Sequence, residues 1–336
     1  MNTERTAVVA GGTAGVGRAT VDALIADGYR VGVIARGKER LDKVADEYGD
    51  RVMTLSVDVC DASEMTRAAA AFEEVLGPIG VWINCAMLTS FSPFEKMAPD
   101  EFERIVQTTF MGVVNGTRAA LSLMKKRGAG KIVTVGSGLA YRSVPWQSAY
   151  CASKHAINGF LSSVRSELIH EGSDITLGVV QLPAINTPQF DWAKNRLEMK
   201  PQPAPPIYQP EVAARAVMQA VKEGNRELLV GGSVLQLIFG NMVLPEAMDR
   251  ILASAGTDGQ QSERIEPGNR PDNLRSPVDH VGADARGSYG DRARDSGLIV
   301  DGDQARMGVF FGLPLVALGL GLAVGSAIAK NRAGRW

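Results

Sequence analysis

Tyr150 and Lys154 stand four residues apart, and thirteen residues before the tyrosine lies Ser137, in the run Val135-Gly136-Ser137-Gly138. On a helix, side chains four apart project from one face. The ammonium can then lie under the phenol and favour its ionised form. A free tyrosine titrates near ~10, too high for acid/base work near neutrality, and a neighbouring cation brings it toward the range where proton transfer is efficient. A serine hydroxyl at the end of the preceding strand can hold a carbonyl oxygen for protonation by that phenol. The chemistry these residues suit is the making or breaking of a C–OH bond.

A second group lies at the N-terminus. Thr6–Ala10 reads as a short buried strand running into Gly11-Gly12-Thr13-Ala14-Gly15-Val16-Gly17, followed by a helical apolar pattern through Ala19, Val21, Leu24 and Ile25. A glycine-rich strand-to-helix turn lets the backbone approach a pyrophosphate, and the helix N-terminus favours its charge. Such a turn alone is as often a tight turn that binds nothing. The Ser-x12-Tyr-x3-Lys group downstream decides between the two readings.

With both motifs in this order, the chain resembles a short-chain dehydrogenase/reductase of the Ser-Tyr-Lys type over residues 5–235, carrying a C-terminal extension. The resemblance implies one doubly wound Rossmann domain with a parallel sheet and interconversion of a carbonyl and an alcohol by hydride transfer. Ser137, Tyr150 and Lys154 would be catalytic. Cofactor contacts are implied at Gly11, Thr13, Gly15, Val16, Gly17, Arg36, Asp58, Val59, Asn84, Ala86, Tyr150, Lys154 and Thr187. Asn84 would support the sheet and line the cleft, and Thr187 would meet the nicotinamide carboxamide. Homodimers or homotetramers through residues 99–126 and 148–170 are a further implication.

Cofactor choice is expected at the end of the second strand. An acid there would suit NAD; here Ala35 is followed by Arg36, with Lys38 nearby. A guanidinium suits a phosphate through paired, charge-assisted hydrogen bonds, so NADPH is expected to be preferred over NADH. The chain departs from the family pattern at four points. Ala10 replaces a threonine, Asn84-Cys85-Ala86-Met87 lacks the usual glycine, and the stretch around Pro183 lacks another. Thr109 stands where an asparagine supports a proton-relay water, which predicts a slowed or rerouted relay.

The wider chain positions these residues. Strands are expected at Thr6–Ala10, Arg30–Ala35, Val52–Val57, Val81–Asn84, Lys131–Val135, Ile175–Leu182 and Glu227–Val230, with helices between them such as Ser63–Leu76, Pro99–Lys126 and Ser148–His170. That alternation predicts an α/β fold whose ligands bind beyond the carboxyl ends of the strands. The expected domain covers residues 1–256. Thr257–Arg306, rich in Gly, Asp, Arg, Ser and Pro, reads as a flexible linker. Residues 307–329 carry no charge and would span about 34 Å as a helix, the length of a membrane segment, with 330–336 as a basic tail; a buried or oligomer-contact helix is the alternative.

The 336 residues carry a formal net charge of −1, so no global field argues for nucleic acid. Cys60, Cys85 and Cys151 have no metal-ligand spacing and an odd count, and Met1–Arg5 leads straight into the first strand. Together these predict a cytoplasmic catalytic domain with reduced thiols, no metal and no signal peptide, associated with a membrane through the C-terminal segment. His155 and His170 read as surface or packing residues. Phe190, Trp192, Leu139, Trp146, Met87 and Leu88 are candidates for an apolar substrate wall, which favours a lipophilic carbonyl or alcohol. Two rivals remain: a non-catalytic NADPH-binding scaffold or sensor at a membrane, and an epimerase or dehydratase of nucleotide sugars.

Overall fold

The computed structural model describes residues 5–268, 270–279 and 284–312. The chain divides into two compact units, residues 1–299 and 300–336. In the first, seven parallel strands are built from short apolar runs: β1 Arg5–Ala10, β2 Tyr29–Ala35, β3 Val52–Ser56, β4 Ile79–Asn84, β5 Ala129–Val135, β6 Asp174–Gln181 and β7 Glu227–Val230. They hydrogen-bond in the order β3-β2-β1-β4-β5-β6-β7. Continuous rather than alternating apolar sequence is what a sheet covered on both faces requires. Val8, Val9, Ile34, Ile83 and Ile132 are fully buried.

Helices α1 Gly15–Ala26, α2 Lys38–Tyr48, α3 Ala62–Leu76, α4 Pro99–Val106, α5 Gly112–Arg127, α6 Ser148–His170, a short α7 Gln189–Trp192 and α8 Pro210–Glu223 follow the strands. Val21 and Leu24 of α1 and Val217 and Val221 of α8 pack on one face. Phe72 of α3, Met124 of α5 and Ile157 and Leu161 of α6 pack on the other. Local chemistry sets the ends. The Asp61 carboxylate accepts from the Glu64 amide at the start of α3. α5 closes on Lys125, Lys126 and Arg127 followed by Gly128 in the left-handed region, a cationic last turn with the residue type that end favours.

The expected strands and the α/β architecture match the structure. The continuous helix expected over 99–126 does not. Residues Gln107–Met111 form a π-helical turn between α4 and α5, and the fully buried Thr109 hydroxyl there donates to the Leu88 carbonyl and accepts from its amide, both at 2.9 Å. A side chain bonded to a neighbouring loop is a recognised cause of such breaks. The apolar material after β7 forms α9 Gly232–Val243 and α10 Pro245–Asp258.

The expected linker is the larger correction. Gln261–Ile265 pairs antiparallel with Met199–Pro201, and Ala293–Arg294 pairs parallel with Ile207–Tyr208. Leu274 and Val278 are buried. Composition correctly indicates little apolar burial here. The segment is held instead by short ladders, by its backbone carbonyls and by ion pairs such as Lys194–Asp272 and Arg286–Glu211, whose partners composition does not reveal. In the second unit, Asp301 caps α11 Gly302–Met307 and a π-helical turn Gly308–Gly312 follows. No helix among the described residues is long and apolar enough to cross a membrane. Most of the expected membrane segment (313–329) and the basic tail lie outside the described residues.

Candidate active site

The ends of β1, β2, β4, β5 and β6 open into one cleft of about 730 Å³. At its floor, Gly136-Ser137 leaves β5 and the first two turns of α6 bring Tyr150 and Lys154 to the same place. The Ser137 hydroxyl oxygen accepts the Leu139 amide at 3.1 Å. That leaves its proton free to donate. The Tyr150 phenol lies near enough to the Ser137 hydroxyl for that group to favour its ionised form. Lys154 is buried, its Nζ donating to the Val135 carbonyl at 2.7 Å and lying 5.5 Å from the Tyr150 ring centre.

The electrostatics differ from the expectation of a phenol already lowered by its lysine. Burial is the largest influence on both groups. It pushes Tyr150 up, opposed by the Ser137 hydrogen bond, and pushes Lys154 down to about 8, opposed by Cys85. Desolvation disfavours whichever form is charged. In this state the tyrosine is therefore firmly protonated at neutral pH, the form a proton donor needs.

The other end of the cleft is the glycine turn. Gly11 has φ +91°, and a Cβ there would come within 2.6 Å of the Ala86 amide nitrogen. At Gly17 a Cβ would lie 1.9 Å from the Gly11 carbonyl oxygen. Only glycine at both lets α1 begin against the turn while Ala86 packs beneath it. This is the cradle a pyrophosphate-bearing ligand would use, and the residues present fit a dinucleotide. Gly11, Thr13, Gly15, Val16, Arg36, Asp58, Val59, Ala86 and Thr187 all line the cleft. Gly17 acts from behind it.

Asn84 requires a correction. Its side chain turns into the core, accepting from Trp82 Nε1 at 2.9 Å and donating to Thr117 at 3.1 Å. It ties β4 to α5 and is not among the residues lining the cleft. The strand pattern alone does not reveal this, because Trp82, two residues away on the same face, supplies the partner. Trp146 is likewise absent from the cleft wall, whereas Met87, Leu88, Leu139, Phe190 and Trp192 are present.

Asp58 and Arg36 are charged neighbours under the β2 and β3 ends. Burial alone would raise the Asp58 carboxyl, but Arg104 Nη2 at 2.6 Å and the Cys60 amide outweigh it and hold it below its usual value. Burial, and then the adjacent Arg104 charge, push Arg36 below its ordinary value. Among the described residues no cluster of histidine, cysteine and carboxylate is arranged to hold a metal.

One functional side chain is not evident from the sequence motifs. Gln181, fully buried at the end of β6, accepts the Ser137 amide on Oε1 at 2.9 Å and donates to Asn158 at 2.9 Å and to the buried Glu227 at 3.0 Å. A Cβ on Gly136 would lie 2.3 Å from that oxygen, so the glycine before the serine makes room for the amide. The sequence does carry a signal: a lone amide in the apolar run Ile175–Leu182 must find partners if buried. Replacing Gln181 by leucine is expected to lower kcat about tenfold or more at unchanged cofactor affinity, and to destabilise the fold by about 1–3 kcal/mol by orphaning those groups. Single-turnover kinetics and denaturant melts check the two parts separately. An unchanged turnover in the folded variant would remove Gln181 from the positioning of Ser137.

Residues 5–197 match the family model described as short chain dehydrogenase. The chain belongs to the short-chain dehydrogenase family. It is similar to the 2-(R)-hydroxypropyl-CoM dehydrogenase of Xanthobacter autotrophicus, 31% identical over 69% of this chain and 96% of that one. It is also similar to the 3-dehydrosphinganine reductase of Danio rerio, 27% identical over 65% of this chain and 68% of that protein. Among solved structures, an alcohol dehydrogenase from Thermococcus sibiricus complexed with 5-hydroxy-NADP shares 25% identity with a TM-score of 0.57, covering 67% of this chain and 95% of that one. The chain is thus an oxidoreductase of a family that uses nicotinamide cofactors.

Proposed function

We propose that this short-chain dehydrogenase is an NADP(H)-dependent reductase of a lipophilic carbonyl compound. The observation that carries the reading is the meeting of Ser137, Tyr150 and Lys154 at the floor of a cleft whose far end carries the Arg36 guanidinium directly after β2, in a run Ala35-Arg36-Gly37-Lys38 without an acidic residue. The cofactor, when bound, supplies the hydride. Ser137 donates its free proton to the substrate oxygen and fixes its position. Tyr150, held protonated by burial, delivers the proton to that oxygen as negative charge develops there. Lys154, charged below about pH 8, lowers the cost of leaving a phenolate.

The substrate end of the cleft is lined by Leu139, Val144, Leu237, Met248, Ile251 and Leu252. This apolar wall, with Gln147, Ser233, Gln236 and Gln260 also in the lining, favours an apolar body carrying a carbonyl and room for a few polar contacts. The reductase from Danio rerio named for 3-dehydrosphinganine is a relative consistent with a lipid ketone; the coenzyme-M-linked relative is a reminder that the family fold does not fix the substrate. The test is NADPH oxidation by purified protein against ketones and aldehydes of graded apolarity. Rates that rise with apolar length support the reading. Binding of NADPH with no turnover of any member would favour a nucleotide-binding scaffold.

For cofactor choice, Arg36→Ala is expected to weaken NADPH about tenfold to hundredfold relative to NADH, the worth of one charge-assisted hydrogen-bond set. Fluorescence titration of both nucleotides measures the ratio. Equal affinities in the parent protein, unchanged in the variant, would remove the NADPH preference.

A further inference from the structure

Arg36 does not face the cleft unaccompanied. Its Nη1 donates to the carbonyls of Leu274 and Arg275 at 3.2 and 3.4 Å, and its Nη2 to that of Asn273 at 2.6 Å. Arg104, which holds Asp58, also donates to the Leu274 carbonyl, at 3.1 Å. Arg40 donates to the Val278 carbonyl and lies 3.7 Å from Asp279. Leu274 is 3% exposed, set among Leu88, Met97, Ile105 and Ala149, with Tyr150 packed against the same cluster. Three cations of the cofactor end thus converge on one stretch of the C-terminal segment.

A second stretch reaches the glycine turn and the segment at Asn186 and Thr187. The Asp284 carbonyl accepts the Gly15 amide of the glycine turn at 3.1 Å. The Gly287 amide donates to the Asn186 carbonyl at 3.1 Å, beside Thr187, and the Tyr289 amide donates to Asn186 Oδ1 at 2.9 Å. A Cβ on Gly287 would lie 2.4 Å from the Thr187 carbonyl oxygen. The ring of Tyr289 meets Phe190 edge-on at 6.0 Å.

These stretches border the cleft, and the Asp284 carbonyl takes the Gly15 amide of its glycine turn, a contact a bound pyrophosphate would have to displace. Asn273 and Pro277 stand in its wall beside Arg36 and Asp58, and the cleft keeps its volume of about 730 Å³ beneath them. We propose that residues 270–279 and 284–292 form a clasp that is part of the cofactor site, closing over a bound nicotinamide dinucleotide and setting the rate at which it leaves. The inference rests on the cofactor reading above. It assigns Arg36 two roles. Two Nη1 protons and one Nη2 proton hold the clasp, leaving Nε–H and the second Nη2 proton for a phosphate. The clasp is held both by its backbone carbonyls and by its side chains, among them Arg270 on the Phe190 and Ala193 carbonyls, Asp272 with Lys194, and the Tyr289 hydroxyl on the Pro201 carbonyl.

A cover of this kind acts on release, and most differences between related sites appear in the dissociation rate. The experiment is a stopped-flow chase of bound NADPH, followed by its fluorescence, on the full chain and on two variants that disturb opposite ends: Leu274→Glu, which places a charge in an apolar nest, and Gly287→Val, which cannot approach Thr187. NADPH should leave each variant about tenfold faster or more, with association changed less. If one variant fails to fold, the other decides. Unchanged release from a folded variant overturns the clasp and leaves cofactor binding standing. Faster association with unchanged release also overturns it, and makes the segment a competitor of the cofactor. Failure of the parent protein to bind either nucleotide overturns the cofactor reading and the clasp together.

Discussion

Tyr150→Phe is expected to lower turnover about a thousandfold or more, the scale of a lost general acid, while NADPH still binds and the fold keeps its stability. The variant removes one oxygen and its proton. The ring stays where it packs, against the cluster of Leu88, Met97, Ile105 and Ala149, so the melt should move by less than about 1 kcal/mol. Neither neighbour can take over the proton transfer. Ser137 can donate a hydrogen bond but lacks a cation placed to stabilise its oxyanion, since Lys154 is directed to the Val135 carbonyl and the tyrosine ring. Single-turnover measurement of NADPH oxidation separates the chemical step from binding. Residual activity above a tenth of the parent rate would mean that water or Ser137 supplies the proton, and the roles assigned to these side chains would fall.

The parts of this site that are legible in the sequence are those where one residue type has one use. Strand runs such as Thr6–Ala10 and Ile175–Leu182 are apolar without alternation, which fits only a sheet covered on both sides. The glycine turn and the Ser-Tyr-Lys spacing follow from close backbone approach and from the pitch of a helix. What escapes depends on long-range partners. Gln181 reads as an ordinary strand residue until Ser137, Asn158 and Glu227 are seen around it. Asn84 looks like a cleft residue until Trp82 and Thr117 claim it. The break at Gln107–Met111 comes from Thr109 bonding a loop twenty-one residues earlier in the chain. Residues 257–306 read as a linker because composition registers apolar burial and not backbone ladders or ion pairs.

Lys154→Met is expected to abolish turnover and yet make the protein more stable at pH 7. The lysine is buried, with a carbonyl rather than a carboxylate as its hydrogen-bond partner. Burial drives its pKa down from 10.5 to about 8. Each tenfold loss of proton affinity corresponds to about 1.4 kcal/mol, so keeping the charge buried costs on the order of 3 kcal/mol. Methionine fills similar volume without the charge but leaves the Val135 carbonyl unpaired, which costs about 1–3 kcal/mol if water does not replace the bond. A net gain of up to about 2 kcal/mol is the expected balance. The pH dependence separates this cause from improved packing. Between the folded value of about 8 and the unfolded value of 10.5, the unfolded chain binds more protons than the folded one, so the parent protein gains stability as pH rises. The advantage of the methionine variant is therefore full below pH 8 and shrinks as pH climbs toward 10.5. Denaturant melts at about pH 7 and about pH 10 measure it. A gain independent of pH would assign it to packing, and a loss at neutral pH would show that the charge is better solvated than its burial indicates. A cation kept at such a cost is explained by what it does for Tyr150: when the phenol gives up its proton, a neighbouring ammonium in a low-dielectric site stabilises the phenolate more than the same charge could in water.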